Sequence, residues 1–133
     1  MLKRKVYQEL LKWKENTEGK ALCIIGARQI GKTTLIREFG KNEYEHFAEI
    51  NFVTDEKAAD IFNDKLTAEA IITNLTAYLQ TPLEPGKTLI LFDEVQECPA
   101  VRSAIKFLVE DGRFDYIESG SLLGVRYKEV RSY

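Results

Sequence analysis

Gly26-Ala27-Arg28-Gln29-Ile30-Gly31-Lys32-Thr33-Thr34 follows the phosphate-binding pattern of Gly, four residues, then Gly-Lys-Ser/Thr. Glycines let a backbone fold tightly around an anion and turn its N–H groups inward. A lysine at this spacing reaches the terminal phosphates, and the hydroxyl beside it holds Mg2+. A helix that starts here adds its positive end. The stretch from Gly26 to Thr34 therefore reads as a cradle for nucleotide phosphates, with Lys32 as its main cation and Thr33 on the metal. The plain structural alternative is a glycine turn between two core elements.

The flanks argue for the cradle. Ala21-Leu22-Cys23-Ile24-Ile25 is short, apolar and partly β-branched, as a buried parallel strand should be. Leu35, Ile36 and Phe39 follow the loop at helical spacing, and Gly40 reads as a helix stop. Strand, glycine loop and helix come in the order the chemistry requires.

Further along, Thr88-Leu89-Ile90-Leu91-Phe92 is a second apolar strand, and it runs into Asp93-Glu94. Ligands of open α/β sheets bind at the carboxyl ends of strands. Asp93 suits the Mg2+ shell, through water. Glu94 is then placed to polarise an attacking water. The alternative is a strand that simply ends in two solvated acids.

Length and composition allow one domain of ordinary soluble type. The chain has 133 residues, 30% charged and 44% apolar. A net charge of −2 makes no electrostatic case for nucleic acid or a membrane surface. No apolar run approaches the roughly 20 residues that span a bilayer. Met1-Leu2-Lys3-Arg4-Lys5 is basic, but no apolar signal-peptide core follows it, so the cytoplasm is the expected location. Cys23 and Cys98 are far apart and lack metal spacing; Cys23 reads as a small core residue. His46, the one histidine, reads as a surface or strand-edge residue.

The rest of the chain alternates. Leu2, Val6, Leu10 and Trp13 predict an amphipathic helix over 2–15, packed on the sheet edge, with Arg4 and Lys5 at a solvated end. Residues 45–52 alternate polar and apolar as a second strand. Short and longer helices are expected over 55–62 and 67–79, forming an insert before the strand at 88–92. Cys98-Pro99-Ala100 opens another helix, which Asp111-Gly112 ends. Residues 114–118 read as a weaker strand, followed by Ser119-Gly120-Ser121. The order β-α-β-α-β-α-β predicts an α/β fold, a parallel sheet with helices on its faces; with the phosphate-loop pattern at 26–34 the expectation is a three-layer P-loop NTPase fold around a mainly parallel sheet.

Three blocks, residues 26–34, Leu-Ile-Leu-Phe-Asp-Glu-Val-Gln-Glu-Cys-Pro at 89–99 and Ser-Gly-Ser-Leu-Leu-Gly at 119–124, together resemble a prokaryotic family of AAA-type ATPases of the additional-strand class. The resemblance covers almost the whole chain, and the 89–99 run is its most diagnostic part. It implies that Lys32 and Thr33 grip phosphate and Mg2+, that Asp93 serves the metal, and that Glu94 is the catalytic base. It also implies that Ser119 senses the terminal phosphate, whereas the residues alone leave Ser119 equally a turn residue. Members of the family usually continue into a fifth strand, a helical lid and often a nuclease-like domain. The expectation is thus an amino-terminal fragment, with its core over 20–133 lacking the fifth strand and the lid. None of Arg28, Arg126 and Arg131 is identifiable as an arginine finger by spacing. The class has the strand order 5-1-4-3-2. An open edge beside residues 21–25 would then make the chain self-associate, or fold residues 122–133 back on the sheet.

The function expected is binding of Mg2+–ATP and, in a complete protein, its hydrolysis to drive a conformational switch. The alternative is a nucleotide-binding regulatory module with negligible turnover, and the ATPase of this chain is expected to be weak. ATP is preferred to GTP because no Asn-Lys-x-Asp motif is present. A non-enzymatic domain with a vestigial loop fits poorly with intact Lys32, Thr33, Asp93 and Glu94.

Overall fold

The computed structural model describes residues 2–16, 21–26, 32–121 and 130–132. Five strands, β1 (Leu22–Gly26), β2 (His46–Asn51), β3 (Thr88–Asp93), β4 (Asp115–Ser121) and β5 (Val130–Ser132), form one sheet in the order β2-β3-β4-β1-β5. The first four are parallel, and β5 pairs antiparallel with β1. The helices are α1 (Leu2–Glu15), α2 (Lys32–Glu43), α3 (Ala68–Leu79) and α4 (Pro99–Asp111), joined by 3₁₀ turns at Glu56–Phe62 and Val95–Glu97.

Strand β3 lies inside the sheet, and all six of its residues are buried, which is why it reads as an unbroken apolar run. Alternate residues serve two cores. Leu22 of β1, Leu89 and Leu91 of β3 and Ile117 of β4 pack against Leu10 and Trp13 of α1 and Ile36 and Phe39 of α2. Ile90, Phe92 and Tyr116 face the other way, among Ile71 and Leu75 of α3 and Val101, Ile105 and Leu108 of α4. Each such fully buried side chain contributes roughly 1.5–3 kcal/mol. The α/β fold with helices on both faces of a mainly parallel sheet is as expected.

Several local expectations are corrected. Helix α1 covers a sheet face beside α2 rather than the sheet edge, because its apolar stripe meets Phe39 and Leu22. Gly40 does not stop α2, which runs on to Glu43. Its missing side chain admits the Phe47 ring of β2, which a Cβ at Gly40 would strike. The short helix expected over 55–62 is present as a 3₁₀ helix: Asp55 accepts from the Lys57 N–H at 3.0 Å, and Asp60 O accepts from the Asn63 N–H at 3.2 Å. Thr67 is the N-cap of α3, accepting from the Ala70 N–H at 3.2 Å.

Two outcomes nearest the expected site concern β4 and β5. Of the two alternatives left open for Ser119, the strand tip holds: Ser119, Gly120 and Ser121 continue β4 in its ladder with Ile24, Ile25 and Gly26. A fifth strand is present as three residues of the expected fold-back, antiparallel to β1, with Val130 opposite Ile24 and Ser132 opposite Leu22. It occupies backbone groups of β1 that would otherwise lack partners. Residues 122–129 and 133 of the expected fold-back lie outside the described residues.

Candidate functional site

Parallel strands align their carboxyl ends, so the tips of β2, β3 and β4 arrive together. Asp93, at the tip of β3, lies in register with Asn51 of β2. It is 6% exposed, and its carboxylate is held from three sides. Oδ1 accepts from the Ser119 hydroxyl at 2.6 Å and from the Glu94 N–H at 2.9 Å, and Oδ2 accepts from the Asn51 amide at 3.4 Å. Burial pushes the Asp93 carboxyl above the usual range. The Ser119 and Glu94 hydrogen bonds pull it back, and the charges of Glu94 and Glu49 add to the rise. A carboxylate in that state is stabilised by a cation beside it.

Asn51 was not foreseen from the sequence. Its own carbonyl accepts from the N–H groups of Val53 and Thr54 at 2.8 and 3.0 Å, which leaves the NH2 aimed at Asp93. An Asn at a strand end followed by a turn is the signal that could have found it.

Lys32 is the first residue of α2, and its amino group donates to the Gly120 carbonyl of β4 at 3.2 Å. Burial lowers its affinity for the proton, while Asp93, Glu94 and Cys23 raise it. Lys32 thus reaches the residue next to Ser119, whose hydroxyl grips Asp93. The structure brings Lys32, Asp93 and Ser119 together at the carboxyl edge of the sheet. Gly26 ends β1, and Thr33 and Thr34 follow Lys32 on α2, half-buried and exposed respectively. Ala27, Arg28, Gln29, Ile30 and Gly31 lie outside the described residues.

Glu94 leaves the strand in a left-handed conformation, φ 58° and ψ 46°, which swings the chain into the 3₁₀ turn at Val95–Glu97. Its Oε1 accepts from the Gln96 amide at 2.7 Å. Its charge is felt at both Lys32 and Asp93.

Beneath the edge, on the α4 side of the sheet, Glu118 is fully buried. The Arg102 guanidinium donates to both its oxygens, at 3.2 and 3.3 Å, and also approaches the Cys23 sulfur at 3.3 Å. Cys23 is in the core as expected, but next to a buried ion pair rather than among apolar side chains alone. Burial pushes Glu118 up to about 7, against the pull of Arg102. On the opposite face Arg37 of α2 holds Glu49 of β2 through two bonds of 2.6 and 2.8 Å. Arg28 and Arg126 lie outside the described residues, as does the side chain of Arg131. His46 opens the edge strand β2, its Nε2 2.5 Å from Glu84, at the other end of that strand from Asn51. Arg4 and Lys5 are exposed.

Compared with known proteins, residues 18–133 match a family model described as an AAA domain. No curated protein matches the chain. No helix among the described residues is long and apolar enough to cross a membrane.

Proposed function

Since the chain belongs to the AAA domain family, in which nucleotide binding is the common activity, we propose that it binds Mg2+–ATP at the carboxyl edge of its sheet and hydrolyses it. The observation that carries this reading is the convergence of Lys32 on Gly120 and of Ser119 on Asp93, 3.2 and 2.6 Å across. A cation and a buried acid then share one strand tip, as a metal–phosphate ligand requires.

The roles follow from the chemistry of each group. Gly26 to Thr34 would wrap the phosphates with backbone N–H groups, and the start of α2 would add its positive end. Lys32 would exchange the Gly120 carbonyl for a phosphate oxygen. Asp93 and the Thr33 hydroxyl would hold Mg2+, which neutralises phosphate charge when bound. Ser119 would keep Asp93 oriented while lying next to the terminal phosphate. Glu94 would accept a proton from the attacking water. The chain would work in the cytoplasm, with ATP as its small-molecule partner.

A second reading, a nucleotide-binding regulatory module with negligible turnover, is favoured by one observation. Arg37 and Arg102, the described arginines near the sheet's carboxyl edge, are each engaged with a carboxylate. A cation free to meet the transferred phosphate would then come from elsewhere. Titration of the purified chain with ATP and Mg2+, followed by phosphate release, separates these readings. Binding with release supports the ATPase, binding without release supports the regulatory module, and no binding refutes both.

A further inference from the structure

Gln96 lies two residues beyond the acid pair, in the most diagnostic run of the sequence, and the roles above leave it unused. We propose that Gln96 is a positioning residue that aims the Glu94 carboxylate at the attacking water. This rests on the reading of Glu94 as the base.

A general base needs an oxygen held in one direction. A glutamate side chain is free about several bonds, and Glu94 gets its direction from two constraints. Its left-handed backbone, rare for a residue with a side chain, turns it out of the strand line. The Gln96 amide then fixes Oε1 at 2.7 Å.

The amide is itself well anchored. The turn is closed by bonds from the Glu97 N–H to Glu94 O at 3.1 Å and from the Cys98 N–H to Val95 O at 3.0 Å. Val95 and Cys98 are buried beneath it, and Pro99 starts α4 directly after. Gln96 therefore projects from a pinned turn.

The choice of an amide also has a chemical reason. A lysine or arginine here would orient the carboxylate equally well but would stabilise its charge and weaken it as a base. A neutral donor orients it while costing less basicity.

The test compares the whole chain with Gln96→Met, which keeps the length without the donor, Gln96→Ala, Glu94→Gln, and Glu94→Gln combined with Gln96→Met. Single-turnover hydrolysis of Mg2+–ATP and calorimetric affinity are read for each. Both Gln96 variants should hydrolyse roughly tenfold to a hundredfold more slowly, with affinity held within about twofold. The double variant should fall no lower than Glu94→Gln alone. Unchanged rates, equal losses of rate and affinity, or an additive double variant would each overturn the inference. A second measurement needs no turnover: the Gln96 side-chain amide signal in a 1H–15N spectrum should move on Glu94→Ala, and a signal that stays in place overturns the contact. If the wild-type chain binds but does not hydrolyse, Glu94 is not a base, and both the reading and the inference fail. If it hydrolyses and the Gln96 variants match it, only the inference fails.

Discussion

The Ser119 hydroxyl donates to the Asp93 carboxylate across 2.6 Å and so ties the tip of β4 to the tip of β3. Both groups are buried, so each satisfies the other where water cannot. The bond also keeps one Asp93 oxygen facing β4, on the side that Lys32 reaches.

Ser119→Ala should therefore do two things. It should cost about 1–2 kcal/mol of stability, because a buried charge-accepting oxygen loses a donor. It should also weaken Mg2+-dependent nucleotide binding several-fold while leaving Mg2+-independent binding alone. Denaturant unfolding and calorimetry with and without Mg2+ check the two parts. Equal weakening under both conditions would place Ser119 outside the metal's support.

The adjacent acids should separate by role. Glu94→Gln keeps the shape but cannot accept a proton, so turnover should fall to a small residual single-turnover rate while affinity stays near normal. Asp93→Asn should instead reduce Mg2+-dependent affinity. The reverse pattern would exchange the two assignments.

Glu118 offers a pH test of the buried pair. Its folded-state value of about 7 stands above the ordinary 4.5, so the folded chain holds this proton more tightly than the unfolded one. Its contribution to stability is present below the unfolded value and is lost as pH rises through 7. Compared with Glu118→Gln, the wild type should lose up to about 3 kcal/mol between pH 4 and 8. A stability difference that is flat across that range would contradict the burial argument.

Gly40 tests the packing of α2 on β2. Alanine in mid-helix normally gains about 1 kcal/mol over glycine. Here its Cβ meets the Phe47 ring, and overpacking costs about 1–3 kcal/mol. Gly40→Ala should lower the melting temperature, and Phe47→Leu in the same chain should restore part of the loss. A raised melting temperature would show that the ring moves aside freely.

What the sequence revealed was local. The strands at 22–26 and 88–93 and the helix at 2–15 are spelled out by apolar periodicity. Lys32, Asp93 and Ser119 were identifiable individually. What was hidden lies between elements. Gly40 looks like a stop because nothing nearby in sequence announces the Phe47 ring. Ser119 reads equally as a turn residue or a strand tip until β1 supplies its ladder partner. Asn51 and the Arg102–Glu118 pair become partners only once strands and helix are assembled, at separations no periodicity reports. The 3₁₀ form of 56–62 depends on capping by Asp55 and Asp60, which a helical hydrophobic pattern does not distinguish from an α-helix.

The central claim is that the edge where Lys32 meets β4 is a nucleotide phosphate site. Calorimetric titration of the wild-type chain and of Lys32→Ala with Mg2+–ATP tests it most directly. The account predicts saturable binding by the wild type and at least about tenfold weaker binding by the variant, roughly 1.4 kcal/mol. Equal affinities, or no binding by a folded wild-type chain, would contradict it.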